Sequence, residues 1–352
     1  MAEVKPFRAE RYDEATVGLL DQLVAPPYDV ISSEEREDYL ARSPYNVVHL
    51  TLPDDEEQAG RELAEWRRDG VLVREEKPSY WFLSQEYVGP DGVSRTRSGL
   101  VASLRAEPYA HGLVLPHERT HRGPKEGRLR LLRATRMQLE PIFLLYEGDA
   151  LEPPRREPDL QSGGDRLWRI DDAPDFADVQ LLIADGHHRY ETALAYADEG
   201  GSPYLMVVLV PIRQEGLTIF PTHRIVERLG SVNGVEPVAG VGEALQQLDE
   251  LPRDRPAVAL YRDGETRVLK GDEPILDAAF VESLGPEGVS YTPRVEEAVG
   301  AVDSGRAQAA FLLRPPTIDQ VRAVAERGET MPQKSTYFYP KLTSGLLFHP
   351  LD

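Results

Sequence analysis

The chain contains no cysteine, and this absence excludes several chemistries at once. Disulfides, thiolate metal sites and thiol nucleophiles all need cysteine sulfur. The sequence also lacks any apolar run near the ~20 residues that a membrane-spanning helix requires. The start, Met1–Pro6, has no signal-peptide core. We therefore expect a soluble, cytoplasmic protein without a membrane partner.

Positive charge is scarce, because 40 basic residues face 60 acidic ones and give a formal net charge of −20. Such a field repels polyanions, so we expect no nucleic-acid partner. A small phosphorylated ligand in one local basic pocket is compatible with it. Only six of the basic residues are lysines, and three of these stand in glycine- or hydroxyl-rich segments: Lys125, Lys334 and Lys341.

Common nucleotide and hydrolase fingerprints are also missing. The sequence has neither G-x-x-x-x-G-K-[ST] nor a strand-linked G-x-G-x-x-G, so it indicates neither a P-loop nor a Rossmann dinucleotide site. It has no G-x-S-x-G elbow, which disfavours a serine hydrolase.

An apolar run that ends at Asp185 and Gly186 is the most informative feature present. A helix-forming segment follows, so the pattern predicts a buried strand, a tight turn and a helix. The turn would place His187, His188 and Arg189 on the first helical turn, where unpaired N–H groups and the positive dipole end favour an anion. We interpret it as a phosphate site, with Asp185 as a candidate Mg²⁺ ligand. A structural turn with helix-capping histidines is the alternative.

The segment Pro116–Pro124 contains H-E-x-x-H, the zinc-protease pattern, in which both histidines share one face of a helix. A proline precedes the first histidine and a Gly-Pro pair follows the second, so such a helix would be interrupted at both ends. The sequence therefore favours a polar active-site loop over a zinc site. In this loop Glu118 would be a carboxylate base, and the phosphate donors would be His117, Arg119 and Lys125. A charged loop without function is the alternative.

Two further segments resemble pocket linings, and a third is expected to dock on the body of the protein. Ala25–Val30 is a rigid turn that presents Asp29, a candidate carboxylate for proton abstraction. Pro221–Arg224 combines a hydroxyl, an imidazole and a guanidinium, which makes His223 and Arg224 candidate phosphate donors. The aromatic and hydroxyl-rich segment 329–352 is expected to dock beside the site and to contribute Lys334, Ser335 and Thr336. Ordinary turns and an aromatic strap without chemistry are the alternatives.

The remaining pattern predicts the α+β class, with mixed sheets and helices. Helices are expected near residues 32–41, 57–69 and 128–139, and the β-rich runs 79–88 and 93–104 form a hairpin. The proline- and charge-rich stretch 147–164 reads as a loop or domain seam. We expect a phosphate-binding domain over 1–230, a smaller α+β domain over 231–328 and a docking segment over 329–352.

Taken together, these motifs resemble the DUF1015 family, itself described as of unknown function. The segments that carry the resemblance occur in the family's order: Ala25–Val30, His117–Thr120, Asp185–Ala193, Pro221–Arg224 and Met331–Phe338. The turn Gly186–Arg189 also resembles the phosphate-binding motif of the ParB/sulfiredoxin-like superfamily, which includes free serine kinases. That resemblance implies a ParB/sulfiredoxin-like core in which His188 and Arg189 hold nucleotide phosphate. Sulfiredoxin has its catalytic cysteine where this chain has His187, so sulfinic-acid reduction is excluded.

The residues and the resemblance together predict a nucleotide-dependent phosphotransferase that acts on a small hydroxylated metabolite, such as serine or a relative. ADP or ATP and Mg²⁺ are the expected cofactors, and the candidate catalytic residues are Glu118, Asp29, Asp185 and His187. A non-catalytic sensor of a nucleotide or phosphorylated metabolite is an alternative, because holding phosphate in the ground state uses the same residues. A small-molecule phosphatase is another alternative.

Overall fold

The computed structural model describes residues 2–118, 122–232 and 237–352. The chain forms two compact units. The larger unit takes the chain up to Gly89, then Ser94–Leu217 and Pro340–Asp352, and the smaller unit takes Pro90–Val93 and Thr218–Tyr339. Within the described ranges, no helix combines the length and apolar character needed to cross a membrane.

Both units contain helices and strands. In the larger unit the helices are α1 (Glu14–Val17), α2 (Ser33–Arg42), α3 (Val48–Thr51), α4 (Glu56–Arg68), α5 (Arg122–Thr135) and α6 (His187–Asp198). In the smaller unit they are α7 (Val241–Glu250), α8 (Asp277–Ser283), α9 (Val295–Asp303) and α10 (Ile318–Glu326).

The strands follow the same division. Those of the larger unit, except the last, are β1 (Val4–Lys5), β2 (Glu10–Tyr12), β3 (Leu72–Arg74), β4 (Tyr80–Val88), β5 (Ser94–Arg105), β6 (Val114–Leu115), β7 (Met137–Gln138), β8 (Ile142–Asp149), β9 (Leu160–Ser162), β10 (Asp165–Ile170), β11 (Leu181–Asp185) and β12 (Tyr204–Arg213). Those of the smaller unit are β13 (Thr218–Phe220), β14 (His223–Arg228), β15 (Pro237–Val238), β16 (Ala257–Arg262), β17 (Glu265–Lys270), β18 (Glu287–Thr292), β19 (Ala309–Leu313) and β20 (Tyr337–Tyr339). The chain then returns to the larger unit with β21 (His349–Pro350).

A nine-stranded mixed sheet organises the larger unit, in the order β6-β11-β8-β12-β5-β4-β10-β9, with β1 paired to β5. The β11–β6 and β12–β8 pairs are parallel, and β11–β8 is antiparallel. The strands β8, β11 and β12 are nearly continuous runs of buried apolar residues, as expected for strands covered on both faces. Helix α6 packs Tyr190 and Ala193 into the core beneath this sheet.

A six-stranded antiparallel sheet organises the smaller unit, in the order β15-β17-β16-β19-β14-β18. Alternate residues of β16 enter different cores: Val258 and Leu260 lie in one, and Ala257, Ala259 and Tyr261 lie in the other. Helix α8 contributes to the first core and helices α7 and α9 to the second. The period of two along the strand thus builds a core on each face.

The expected α+β class is confirmed. Strand β14, which the sequence interpretation placed in the domain 1–230, pairs with β18 and β19 and therefore belongs to the smaller unit. The stretch 147–164 lies inside the larger unit, where Leu160–Ser162 forms strand β9 beside β10.

Candidate functional site

The predicted strand, turn and helix around Asp185 are present. Strand β11 ends at Asp185, and helix α6 begins at His187 after Gly186, which has a φ of +98°. This left-handed backbone favours glycine, and a Cβ at Gly186 would make a tight contact, 3.2 Å from the guanidinium of Arg189. Among the described residues, this N-cap makes no side-chain hydrogen bond. The positive end of the twelve-residue helix α6 therefore starts without a side-chain cap.

Asp185 is shared by two cations. Its carboxylate accepts a hydrogen bond from Arg189 Nη2 at 2.7 Å and another from Lys341 Nζ. Burial favours the neutral carboxyl, but Lys341 and Arg189 outweigh it and hold the pKa of Asp185 well below its ordinary value. Arg189 also donates to the carbonyl oxygen of Pro141 and is only 7% exposed. Burial alone would lower the pKa of Arg189, but Glu140 and then Asp185 outweigh it and raise this pKa, so two carboxylates act on the cations at the start of α6.

His117 and His187 form a buried pair beside this cluster. The backbone N–H of His117 donates to Nε2 of His187 at 3.3 Å, and Nδ1 of His117 donates to the carbonyl oxygen of Ile183 at 2.7 Å. The rings lie edge to face with centroids 4.6 Å apart. Burial lowers the pKa of His117 to about 4 and the pKa of His187 well below its ordinary value. Both rings are neutral at pH 7, so neither adds positive charge to the site.

An open cavity lies next to Arg189 in the larger unit, and its empty space of about 360 Å³ includes the solvent-filled mouth. Its polar lining includes Arg128 of α5 and Glu140. Glu140 is buried and accepts hydrogen bonds from the backbone N–H of Tyr28 and from Ser344 Oγ, both at 3.0 Å. The guanidinium of Arg128 stacks 3.9 Å from the centre of the Tyr28 ring. The cavity therefore offers two guanidiniums and one fixed carboxylate to a guest.

Asp29 faces the same cluster from an exposed turn. Burial alone would lower the pKa of Lys341, but Asp185 and then Asp29 outweigh it and raise this pKa. Asp29 also helps to raise the pKa of Arg189, and burial is again the largest effect and opposes this rise. Asp29 is thus a solvent-accessible carboxylate within electrostatic reach of both cations.

Arg97 of β5 is a second buried guanidinium in the larger unit. It is 1% exposed and lies 4.4 Å from the centre of the Phe143 ring. Burial lowers its pKa to about 10, and the negative charges that oppose this effect include Asp185. Its Nη2 donates to the carbonyl of Pro340, whereas Nη1 has no hydrogen-bond partner within the described ranges. Arg97 therefore retains a donor for an additional acceptor.

The sequence interpretation of the segment around residue 117 needs correction. Lys125 lies in the first turns of α5 and not in a loop, and its Nζ donates to Glu191 at 3.0 Å. The helix tolerates Pro124 because the first-turn N–H groups have no intrahelical acceptors. Glu118 precedes this helix and is half-buried, and Arg119 lies outside the described residues. The second histidine of the candidate zinc pair, residue 121, also lies outside the described residues.

Asp185 does not fit the Mg²⁺ role expected for it. Both of its carboxylate oxygens already accept hydrogen bonds from cations, Lys341 and Arg189, which would repel a divalent ion. The part of the chain that the structure describes holds no group of three or more His, Asp or Glu residues placed to bind a metal.

The other candidates belong to the smaller unit. His223 and Arg224 lie on β14, and Lys334, Ser335 and Thr336 lie just before β20. Residues that the sequence interpretation grouped into one site thus divide between the two units. Conversely, the interpretation missed Glu140, Arg97 and Arg128, which stand in unremarkable local sequence, whereas the scarcity of lysine already drew attention to Lys341.

A family model described as a protein of unknown function, DUF1015, matches residues 4–311. No curated protein matches the chain. Solved structures with partial likeness include free serine kinase in complex with AMP, at 17% identity and a TM-score of 0.39 over 66% of this chain and 89% of that one. A variant of that kinase in complex with ADP has a TM-score of 0.38 at 18% identity, over 66% and 89%. A C-terminally truncated SbnI from Staphylococcus aureus has a TM-score of 0.33 at 18% identity, over 68% and 84%.

Proposed function

The chain belongs to the DUF1015 family, and we propose that it transfers a phosphoryl group from a nucleotide to the hydroxyl of a small metabolite. The main support for this proposal is that Arg189 and Lys341 both donate hydrogen bonds to Asp185 at the start of α6. Two cations on one carboxylate, at the N-terminal end of a twelve-residue helix, form a site that an oxyanion would complete.

The proposal gives each residue a distinct role. The N–H groups at the start of α6 and the half-buried His188 hold the transferring phosphoryl group, and Lys341 and Arg189 neutralise its charge. Asp185 fixes these two cations and is a positioning residue. The neutral His187 and His117 hold the turn in place through their mutual contact.

The chemical step is an in-line displacement. The bond between the terminal phosphorus and its bridging oxygen breaks, and the shorter nucleotide leaves with the electron pair. A bond from the metabolite's hydroxyl oxygen to phosphorus forms, and the hydroxyl proton passes to the carboxylate of Asp29. Asp29 suits this role because it is exposed and lies within electrostatic reach of both cations.

The test incubates the full chain with ATP or ADP, Mg²⁺ and a panel of hydroxylated amino acids, and follows products by phosphorus NMR. AMP, named for one free serine kinase structure, serves as a non-transferring ligand. We expect a phosphorylated amino acid and a stoichiometric nucleotide product. If no combination of nucleotide and hydroxylated amino acid gives a phosphorylated product, the proposal is wrong.

Two matched pairs of variants assign the roles. Lys341→Met should lower kcat/KM by about 10²-fold or more, as for other electrostatic contacts to a transferring group. The exposed Lys77→Met should not change kcat/KM. Asp29→Asn should lower kcat while leaving nucleotide affinity nearly unchanged, whereas the exposed Asp171→Asn should change neither quantity.

One observation favours a nucleotide sensor as the second candidate. Hydrogen bonds to Asp185 and Pro141 fix Arg189 in place, which suits tight ground-state binding as well as catalysis. A sensor would bind nucleotide in calorimetry without turnover. A phosphatase would instead release phosphate from a phosphorylated amino acid in the same assay.

A further inference from the structure

The smaller unit contains its own open cavity, which the proposed function does not use; its empty space of about 370 Å³ includes the solvent-filled mouth. Its polar wall includes three arginines, Arg224, Arg253 and Arg314, and one carboxylate, Asp277. The apolar part of the lining includes Leu313 and Met331. The lining therefore combines an excess of positive charge with an apolar surface.

Arg314 and Asp277 neutralise each other. Arg314 Nε donates to Asp277 Oδ2 at 2.8 Å and Nη2 donates to Oδ1 at 2.7 Å, which is the two-pronged geometry of a strong ion pair. Arg314 also donates to the carbonyl oxygens of Leu251, Pro252 and Arg255. This arginine is a fixed part of the wall and needs no further anion.

Arg224 has no such partner. It is 4% exposed, and within the described residues its hydrogen bonds go to two carbonyl oxygens, those of Thr222 and, at 3.4 Å, Gln333. No carboxylate forms an ion pair with it in these ranges; the ring centre of Tyr291 lies 5.5 Å from its guanidinium, and the charge of the exposed Glu282 acts on it from a distance. Burial lowers the pKa of Arg224, as expected for a desolvated cation. A buried charge without a counterion is unfavourable unless a ligand supplies one.

Arg253 adds a second cation at the exposed edge of the cavity. Its Nη1 donates to the carbonyl oxygen of Pro315 at 2.7 Å, and it forms no ion pair within the described residues. Burial and then the charge of Arg314 lower the pKa of Arg253. A negative group in the cavity would oppose both effects and raise the pKa of Arg253.

We infer that this cavity binds a small metabolite through its oxyanion group, a phosphate or a carboxylate, which contacts Arg224 and Arg253. The apolar residues Leu313 and Met331 accommodate the remainder of the ligand. This binding site lies entirely within residues of the smaller unit and is independent of the phosphotransferase proposal.

The test is calorimetric titration of the full chain with inorganic phosphate and, separately, with citrate, in a constant background of sodium chloride. We expect saturable binding that Arg253→Gln weakens by about tenfold or more, the effect of losing one charge-assisted hydrogen bond. The control is Arg255→Gln, an exposed arginine two residues along the same loop and outside the cavity lining, which should leave the affinity unchanged.

Arg224→Gln should abolish the same binding event. Because Arg224 is buried, a failure of this variant to fold leaves the Arg253 and Arg255 pair to decide the matter. Preference for phosphate over citrate would identify a phosphorylated ligand, and the reverse a carboxylic acid. The inference is overturned if neither probe saturates, or if Arg255→Gln weakens binding as much as Arg253→Gln.

Discussion

Asp185 determines the electrostatics of the candidate site, because Arg189 and Lys341 both depend on its carboxylate. Each side chain of this triad is at least four-fifths buried. Removing this anion would leave two buried cations without their hydrogen-bonded counterion, which is more unfavourable than removing the whole group. The triad is therefore expected to behave as one energetic unit.

Asp185→Asn should lower the free energy of unfolding by about 3–5 kcal/mol, as for other broken buried ion pairs. The double variant Asp185→Asn/Lys341→Met should recover part of this loss, because it removes one unpaired cation. Denaturant unfolding of the two single variants and the double variant measures the coupling. Simple additivity of the three values would contradict the shared role of Asp185.

The buried histidines make stability depend on pH. His349 has a pKa lowered by burial from 6.5 to about 4, so the unfolded chain binds protons more readily between these values. Its contribution to stability is complete above about pH 6.5 and is lost as the pH falls toward 4, by about 3 kcal/mol in total. His117 and His223 have the same direction of shift.

His349→Phe should flatten this pH dependence. Phenylalanine preserves the stack on Phe7, whose ring lies 4.5 Å away at an interplanar angle of 5°, but it cannot take up a proton. Denaturant unfolding between pH 7 and pH 4.5 should therefore show a shallower slope than the native chain. Phe82→Leu is the control, since this buried ring packs against Trp168 and its loss should lower stability equally at every pH. Parallel curves for His349→Phe and the native chain would refute the assignment.

At the scale of the element, helix α6 and its turn were readable from local sequence. The apolar strand, the glycine and the following helix formers indicated the order of elements. The helix expected near residues 32–41 is also present as α2, and Ser32 begins it with a capping box. The start of α5 was predicted six residues too late, at Arg128 in place of Arg122, because Gly123-Pro124 was read as an interruption. A proline in the first turn is compatible with a helix, so the local signal was ambiguous.

Gly186→Ala tests how closely the turn holds Arg189. The positive φ of Gly186 should destabilise an alanine by about 1–2 kcal/mol, and the added Cβ would also press on the guanidinium 3.2 Å away. Gly200→Ala, at the other end of the same helix, has a φ of +86° but no heavy atom within 4 Å of the added carbon. Only Gly186→Ala should weaken nucleotide binding in calorimetry. Equal effects of the two variants would show that backbone strain alone matters.

At the scale of the whole molecule, the candidate site depends on chain segments far apart in sequence. Tyr28 and Ser344 both donate hydrogen bonds to the carboxylate of Glu140. Lys341 contacts Asp185, which lies more than 150 residues earlier in the sequence. Local patterns could identify Asp185 and Arg189, because strand and helix propensities place them. They could not identify Glu140 or Arg128, since only tertiary packing brings these residues to the cavity.

The last thirteen residues complete the larger unit after the chain has passed through the smaller one. Pro340–Asp352 buries Leu342, Leu346, Leu347 and Phe348 and pairs β21 with β7. Burying four such side chains is worth roughly 6–12 kcal/mol, which is comparable to the total stability of a domain, about 5–15 kcal/mol. The integrity of the larger unit should therefore depend on this segment.

Deleting Pro340–Asp352 should unfold the larger unit and spare the smaller one, which has its own cores on both faces of its sheet. Hydrogen exchange followed by mass spectrometry should show lost protection in β8 and β12 and retained protection in β16 and β19. Deleting Asp352 alone is the control, because it removes only a surface ion pair with Arg74, worth about 0–1 kcal/mol. Retained protection of β8 and β12 in the longer deletion would show that the larger unit is stable without its last segment. Loss of protection in all four strands would show that the smaller unit depends on the larger one to fold.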